Sequence, residues 1–470
     1  MASRDYFKGK RVAVIGLGPH GEMVEDVKYL IKAGAWVSIY DLKSETRLKN
    51  HLVFLRSVGL ANYVCGSIPS DDLLDMDMII LSHDYPRDSS FLKGVYVQNK
   101  ERAKETALPE SLGEDGERTV AAASEHINRV IPVEYQETLF FKLAPPVTLV
   151  GVMGTCGKST VISILRPLLA KVCETYDTQG LFTVDPESAE GVLAHLKKIK
   201  SGDIVVMRII DDMLPELYAM RISPHVAVFT TTPTLRGSMN YPFEVLAYQT
   251  YNNFIVASDE VIDAFRSLSA QPRAKMLRTK ATLVPDDWGF EGRGTHDRLN
   301  AALAFQTAQL FKVDTEMARH ILTDWKALKG RLELVKKVKG VEFFNDTMSM
   351  TPDSTLAGIT ALSQGRNIIL IFGGVDGGFE YRMLYSQLPL YVHTVVSIPG
   401  SGTMRQRLLL QEIEGVGVRS VPSIDEAVRT AFECAQKGDR VLFSPGFDAG
   451  GVEGSKLERG EKFVRAVRGL

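Results

Sequence analysis

Short apolar runs recur along the chain and alternate with longer amphipathic stretches. Because buried strands are usually five to eight residues long and are bounded by Gly, Pro or charged residues, these runs predict strands. The predicted strands are residues 11–15, 36–40, 76–82, 147–152, 203–210, 225–230, 254–258, 341–345, 367–372, 394–398 and 440–444.

Amphipathic stretches predict helices at residues 23–33, 121–143 and 294–312, where apolar positions recur at helical spacing. Strands that alternate with helices are typical of mostly parallel sheets covered by helices. The chain therefore belongs to the α/β class, and it contains no internal repeat or low-complexity tract.

The length of 470 residues exceeds what one hydrophobic core usually holds. Residues 99–118 are polar and charged and predict an exposed loop, and a new block of strands begins near Gly330. We therefore predict three α/β domains: an N-terminal Rossmann-like domain at residues 1–120, a central phosphate-loop domain at 121–329 and a C-terminal Rossmann-like domain at 330–470.

A first glycine loop, with Gly16, Gly18 and Gly21 in the pattern GxGxxG, joins a predicted strand to a predicted helix. Asp41 ends the next strand. These are the parts of a dinucleotide-binding βαβ unit, in which glycine lets the backbone approach a diphosphate. The same turn serves other nucleotides and sugar nucleotides, and Pro19 inside it disfavours a standard NAD site.

A second glycine loop follows the strand at 147–152 and opens a helix. Its backbone N–H groups and the helix dipole would face an anion, Lys158 would reach the terminal phosphates, and the Ser159 hydroxyl would ligate Mg²⁺. The strict phosphate-loop pattern requires glycine where Val152 stands, so this loop matches a variant of that pattern. The alternative is a glycine-rich turn with an incidental lysine. The predicted nucleotide-binding residues here are Gly154, Thr155, Cys156, Gly157, Lys158, Ser159 and Thr160.

Composition limits the possible partners and compartment. The net charge of −2 shows no basic bias, which argues against nucleic acid. The four cysteines are dispersed without a CxxC pair, so neither zinc nor a disulfide framework is indicated. No apolar run approaches the roughly 20 residues that span a bilayer, and the first residues lack a signal-peptide pattern. We expect a cytoplasmic protein without a membrane partner.

The ordered set of motifs resembles the Mur ligase family over essentially the whole length. Each motif alone is weak, but the full order is hard to obtain by chance. The set is GLGxxG from Gly16, strand-end Asp41, Ser124-Glu125, GTCGKST, HDRLN ending at Asn300, Gly330-Arg331-Leu332-Glu333, Asn345-Asp346, Gly373-Gly374 with Asp376, Ser444-Pro445 and Glu458 to Phe463.

The resemblance implies an ATP- and Mg²⁺-dependent ligase of peptidoglycan synthesis, acting in the cytoplasm on processes that set cell shape and division. It would join an amino acid, with D-glutamate the first expectation, to a UDP-linked muramoyl precursor through an acyl phosphate. ATP would contact Lys158, Asn300, Arg331 and Asp346. We expect a monomer.

The resemblance also implies where the other substrates bind. The first glycine loop would face the diphosphate, with Asp41 and Lys43 near the uracil. The third domain would deliver the amino acid, whose carboxylate Lys456 or Arg382 would hold. The alternative for both of these residues is a solvated surface charge.

The chain departs from the family at the second metal site. Arg208 stands where the family has a glutamate ligand, residues 230–236 lack the family's Asp-His pair, and residues 241–254 lack its carbamylated lysine. Either Arg208 or Arg236 replaces the charge of the second metal beside the reacting phosphate, or Arg208 forms a structural ion pair with Asp211 or Asp212.

The third domain departs as well, because Gly377-Gly378 follow Asp376 where a lysine is expected, and Ala449 and Lys456 replace a serine and a phenylalanine. The identity of the amino acid therefore stays open. The alternatives are a ligase for another amino acid, including a folylpolyglutamate-like one, and a catalytically silent nucleotide-binding relative. An NAD oxidoreductase would leave the second glycine loop unexplained.

Overall fold

The computed structural model describes residues 5–18, 21–107, 130–176, 180–186, 188, 190–232, 241–266, 272–449 and 455–470. These residues form three β-sheets with helices between their strands. The strands are β1 (Arg11–Ile15), β2 (Trp36–Asp41), β3 (Asn62–Cys65), β4 (Met78–Leu81), β5 (Val133–Tyr135), β6 (Thr148–Met153), β7 (Leu181–Val184), β8 (Ile204–Arg208), β9 (Val226–Phe229), β10 (Phe254–Ser258), β11 (Lys275–Thr279), β12 (Glu333–Val338), β13 (Val341–Asn345), β14 (Ile368–Phe372), β15 (Val392–Ser397), β16 (Gly417–Ser420) and β17 (Arg440–Phe443).

The α-helices follow the order expected of an α/β protein, and short 3₁₀ turns lie between some of the elements. The helices are α1 (Val24–Lys32), α2 (Glu45–Ser57), α3 (Lys93–Ala107), α4 (Gln136–Leu143), α5 (Lys158–Tyr176), α6 (Leu214–Ala219), α7 (Tyr241–Glu244), α8 (Asp259–Arg266), α9 (Gly294–Gln309), α10 (Thr315–Asp324), α11 (Pro352–Leu362), α12 (Arg382–Tyr391), α13 (Ser401–Gln411), α14 (Ile424–Cys434) and α15 (Lys456–Arg468). The 3₁₀ turns are Asp71–Leu73, Ser90–Leu92, Leu193–Lys197, Asp211–Met213, Val245–Tyr248, Ala281–Leu283 and Asp286–Trp288.

The first sheet has the order β3-β2-β1-β4-β5, and all of its strands are parallel. The chain leaves β1 toward one side of the sheet and returns to β4 on the other. The carboxyl ends of β1 and β4 therefore form a topological switch point, where open α/β sheets bind ligands. The first glycine loop starts at this point.

The helix predicted at residues 121–143 is wrong for part of its length. Of the described residues, only 136–143 are helical, and Val133–Tyr135 form β5 beside β4. Pro132 disfavours helical backbone at Ile131, and the residues after it pair with β4 instead. The first sheet thus extends past the predicted domain boundary near residue 120.

The second sheet has the order β11-β10-β9-β6-β8-β7. The pairs β10–β11, β9–β10 and β7–β8 are parallel. The second glycine loop lies between β6 and α5, as predicted, and α9 packs along α5. The start of α9 is thereby brought to the loop.

The third sheet has the order β12-β13-β17-β14-β15-β16, with β12 antiparallel and the other pairs parallel. A hydrophobic core lies on each face of this sheet, because successive side chains of a strand point to opposite faces. In β14, Leu370 and Phe372 enter one buried cluster, and Ile369 and Ile371 enter the other. The α/β architecture expected for the C-terminal third is confirmed, and the antiparallel β12 makes its sheet mixed.

The chain divides into two compact units, each described by itself below. One holds residues 1–151, 178–225 and 235–249, and the other holds 152–177, 226–234 and 250–470. The three-domain boundaries at residues 120 and 330 stay a prediction.

Candidate functional site

The second glycine loop has a backbone that only glycine fits. Gly154 and Gly157 have φ of +120° and +87°, in the region that other residues rarely adopt. A Cβ at Gly154 would lie 2.5 Å from Thr230 Oγ1, and one at Gly157 would lie 2.6 Å from Asn300 Oδ1. The loop is therefore packed tightly between residues that follow β9 and residues of α9.

Lys158 begins α5 and is buried against the loop that precedes it. Its ammonium donates to the carbonyl oxygen of Gly154 and, at 3.5 Å, to that of Thr155. Ser159 is half-buried and Thr160 is buried in the same first turn. The positive charge of Lys158 thus lies at the helix end whose free N–H groups attract anions.

A cavity of about 390 Å³ opens beside the loop, within one compact unit. Its volume lies in the range typical of small-molecule sites. Of the predicted nucleotide-binding residues, Gly154, Lys158 and Ser159 are not part of its lining. Those that line it are Thr155, Cys156, Gly157, Thr160, Asn300, Arg331 and Asp346.

Asp346 lies at the end of β13, and its carboxyl group is buried inside the cavity wall. It accepts hydrogen bonds from Leu332 N at 3.2 Å and from Ser444 Oγ at 2.8 Å. Burial raises the pKa of Asp346 to about 7, although these hydrogen bonds act in the opposite direction. A carboxyl group held in this way organises the residues around it.

Arg331 is held at the cavity by its neighbours on both sides. Leu332, whose N–H bonds to Asp346, has a left-handed φ of +45°, which costs energy for a residue other than glycine. The Gly330 N–H donates to Glu333 Oε2 at 2.9 Å, and Asn345 Nδ2 donates to the same oxygen at 3.1 Å. The Gly330-Arg331-Leu332-Glu333 motif is therefore tied to the end of β13.

Cys156 lines the cavity, and its Sγ lies 3.8 Å from Oγ1 of Thr351, the residue that caps α11. Burial raises the pKa of the Cys156 thiol. A neutral thiol of this kind fills space in the loop.

Arg208, at the end of β8, forms an ion pair with Asp185 at 3.4 Å. The sequence suggested Asp211 or Asp212 as partners, whereas the ion pair that the structure shows is with the residue that follows β7. Arg236 lies outside the described residues. The catalytic role of Arg208 stays a prediction.

In the first glycine loop, Gly16, Gly18 and Gly21 all have positive φ, from +80° to +83°. Asp41 is fully buried beneath the loop. Its carboxylate accepts hydrogen bonds from Leu17 N at 3.0 Å, from Lys43 N at 2.8 Å and from Tyr85 OH at 3.1 Å. The geometry therefore shows Asp41 shaping the loop from within.

Lys43 also holds this loop, because its ammonium donates to the Gly18 carbonyl oxygen at 2.9 Å. A cleft of about 200 Å³ lies nearby, at the carboxyl ends of β1 and β4. Its polar lining includes Glu22, Asp84 and Asp212, which are hydrogen-bond acceptors. Such a lining suits hydroxyl and amide groups better than a phosphate.

Lys456 begins α15 and does not line the cavity beside the second glycine loop. The neighbouring Arg459 was not predicted as a site residue, and its side chain is almost fully buried. It donates to the carbonyl oxygens of Thr347 at 3.1 Å and Phe447 at 3.2 Å. Arg459 thus ties α15 to the segments that follow β13 and β17.

The motif search overlooked several residues of the cavity wall, including Thr230, Thr231, Ser349 and Asp353. Residues 230–232 drew attention only because they lack the expected metal ligands. The sequence signal that could have found them is the run of three threonines directly after a buried strand. In the part of the chain that the structure describes, no helix is long and apolar enough to cross a bilayer.

The fold and the site together define an α/β protein in which the second glycine loop and residues that follow strands of the third sheet line one cavity of about 390 Å³. The profile of the Mur ligase glutamate ligase domain matches residues 330–447. The UDP-N-acetylmuramoylalanine–D-glutamate ligase of Clostridioides difficile is 26% identical, covering 98% of this chain and 99% of that protein. The enzyme of the same name from Acetivibrio thermocellus is 24% identical over 98% and 97%.

Solved structures share the fold at low identity. A UDP-N-acetylmuramate–alanine ligase from Thermotoga maritima aligns with a TM-score of 0.56 at 14% identity, covering 98% of this chain and 99% of that one. A murein peptide ligase from Psychrobacter arcticus aligns with a TM-score of 0.54 at 11% identity and the same coverage. The C-terminal part of the chain thus matches the Mur ligase glutamate ligase domain, the full length is similar to D-glutamate ligases at 24–26% identity, and the fold is that of Mur ligases.

Proposed function

We propose that the chain is an ATP-dependent ligase of peptidoglycan synthesis that adds D-glutamate to UDP-N-acetylmuramoyl-L-alanine. The observation that carries the proposal is the cavity where the phosphate loop meets Asn300, Arg331 and Asp346. Full-length similarity to D-glutamate ligases supports this choice of substrates. A Mur ligase from Thermotoga maritima with the same fold was solved in complex with ADP, at a TM-score of 0.51, which supports ATP.

The proposed reaction has two steps. The carboxylate of the precursor attacks the γ-phosphorus of ATP, ADP leaves, and an acyl phosphate forms. The amine of the amino acid then attacks the acyl carbon, inorganic phosphate leaves, and loss of a proton from nitrogen gives the amide. Because phosphoryl transfer depends mainly on positioning and on neutralising charge, Lys158 and the N–H groups that begin α5 would do most of this work.

Magnesium is expected with ATP, and the residues present fit an ion that the nucleotide carries. Mg²⁺ at phosphate sites takes only one or two protein ligands and keeps several waters. The half-buried Ser159 hydroxyl, in the first turn of α5, would hold it. Such an ion would neutralise phosphate charge. Arg208 stands where the family has a glutamate ligand of a second metal, so we propose one magnesium.

A second candidate function is a catalytically silent, nucleotide-binding relative. The observation that favours it is the ion pair between Arg208 and Asp185, since Arg208 stands where the family has a metal ligand. Nucleotide would still bind to the phosphate loop, but the amide would not form.

Lys158→Ala tests the leading proposal. Phosphate release would be measured with ATP, UDP-N-acetylmuramoyl-L-alanine and a panel of amino acids that includes D-glutamate. The wild type should release phosphate with D-glutamate, and the variant should be about 100-fold slower or worse, because the loop loses its positive charge. The exposed Lys49 supplies the matched control, Lys49→Ala, which should leave the rate unchanged.

The results separate the two candidates. ATP binding by the wild type, without release for any amino acid, would favour the silent relative. Equal rates for Lys158→Ala and the wild type would refute the assignment of the phosphate loop.

A further inference from the structure

Three consecutive threonines, Thr230, Thr231 and Thr232, follow β9 and line the same cavity as the phosphate loop. We propose that Thr231 binds the nucleotide, its hydroxyl donating a hydrogen bond to a phosphate oxygen. This inference rests on the proposed function, because it requires a nucleotide in the cavity.

Thr230 is part of the framework of the loop. It is buried, and its hydroxyl lies in hydrogen-bond contact with the carbonyl oxygens of Met153, at 3.0 Å, and Cys156. Met153 precedes the glycine loop and Cys156 lies within it, so the Thr230 hydroxyl contacts both the start and the middle of the loop. The single hydrogen of Thr230 is used there, and the residue has none left for a ligand.

Thr231 is placed differently. Its Oγ1 accepts a hydrogen bond from the Thr155 N–H at 2.9 Å. A threonine hydroxyl can accept and donate at once. In the described part of the chain the Thr231 hydroxyl has no acceptor for its own hydrogen, and the residue is only half-buried. That hydrogen is therefore available to a ligand in the cavity.

The position of Thr155 identifies the ligand. Thr155 is an exposed residue of the glycine loop, and the backbone N–H groups of such loops are the groups that hold phosphate. Because the Thr155 N–H is itself bonded to Thr231 Oγ1, the Thr231 hydroxyl would take its place as the donor to phosphate at this position. A phosphate oxygen bound at this part of the loop comes within reach of the Thr231 hydroxyl. Donors to an ionised acceptor make the stronger hydrogen bonds, so the contact should contribute measurably to affinity.

A hydroxyl also suits the rest of this site. A carboxylate beside a phosphate needs a cation between the two negative groups, whereas a hydroxyl can contact the phosphate directly. Thr231 lies in the segment where the family has its Asp-His pair, and the phosphate contact that we assign to it requires no metal ion of its own. The inference therefore agrees with a site that uses one magnesium.

The test is the affinity for ATP, measured by isothermal titration calorimetry with and without Mg²⁺. Thr231→Val keeps the shape of the side chain and removes the hydroxyl, so ATP should bind about 10-fold more weakly, in line with the loss of one hydrogen bond to a charged group. Thr231→Ser should stay within about 3-fold of the wild type, because it keeps the hydroxyl.

Thr360→Val is the matched control, since Thr360 is exposed on α11 and bonds only to carbonyl oxygens of its own helix. It should bind ATP like the wild type. Thr231→Val with wild-type affinity, or Thr231→Ser as weak as the valine variant, would overturn the inference. A wild type that binds no ATP would overturn the proposed function, and this inference with it.

Discussion

At the residue scale, two buried carboxyl groups carry an unusual charge state. Asp26 and Asp346 have their pKa raised to about 7, because burial disfavours the ionised form more than the nearby hydrogen bonds favour it. Both groups nevertheless accept backbone N–H bonds that hold loops in place. Both groups therefore hold loops in place and also lower the stability of the folded protein at neutral pH, where burial opposes their ionisation.

Asp346→Asn should remove the loss of stability that comes from burying this ionisable group. The folded pKa of about 7 exceeds the ordinary 3.8, so the folded protein keeps a proton that the unfolded chain releases, and stability falls as pH rises from about 4 to 7. Asparagine keeps an acceptor for Leu332 N–H and offers a donor toward Ser444, but it cannot ionise.

Thermal unfolding at pH 5 to 8 checks this prediction. As pH rises, the Tm of the wild type should fall relative to that of the variant. Asp26 is present in both proteins, so its contribution cancels in the comparison. A Tm difference that does not change with pH would contradict the assigned pKa.

At the element scale, the two glycine loops depend on close contacts as well as on backbone angle. Gly16 and Gly66 share a positive φ, +80° and +84°, but their surroundings differ. A Cβ at Gly16 would lie 2.3 Å from Tyr85 Cε2, whereas one at Gly66 would meet nothing within 4 Å. Tyr85 is itself held by Asp41, so it cannot move without disturbing the loop.

Gly16→Ala and Gly66→Ala therefore form a matched pair. Both should lose about 1 kcal/mol from backbone strain, and Gly16→Ala should lose about 1–3 kcal/mol more from overpacking. Midpoints of urea unfolding give the comparison. Equal losses would mean that the Tyr85 contact relaxes at no cost.

The strands show what pattern analysis finds and what it misses. All eleven predicted strands are present, and they are the interior strands of the three sheets. The six strands that were missed are the two outer ones of each sheet: β3, β5, β7, β11, β12 and β16. An outer strand is covered less fully, so it needs no continuous apolar run. For example, β16 exposes three of its four residues.

At the scale of the whole molecule, a buried contact joins two distant parts of one compact unit. Asp26, in α1, accepts hydrogen bonds from Val192 N at 3.0 Å and Ala194 N at 3.1 Å. A Cβ at Gly191 would lie 2.5 Å from Asp26 Oδ1. The helix after the first glycine loop is thus fastened to a segment that the sequence assigned to the central domain.

Asp26→Ala should loosen this connection. The substitution leaves the N–H groups of Val192 and Ala194 buried without their acceptor, which should cost about 1–3 kcal/mol net, since part of the loss is offset by removing a buried charge. Asp75 is exposed, so Asp75→Ala is the control and should change stability by less than about 0.5 kcal/mol. Thermal unfolding would measure both variants, and equal Tm values would argue against the contact.

The sequence by itself determined the α/β class, the interior strands, both glycine loops and the order of motifs that resembles the Mur ligases. All of these are local patterns, because a strand, a turn and a helix start are each specified by residues close together in the chain.

Only the tertiary structure decided which distant residues meet. It brought Asn300, Arg331 and Asp346 to a loop that lies more than a hundred residues earlier. It buried Asp41 beneath its own loop, paired Arg208 with Asp185 and placed Thr231 against Thr155. These contacts depend on how the sheets and helices pack, which residue spacing does not specify.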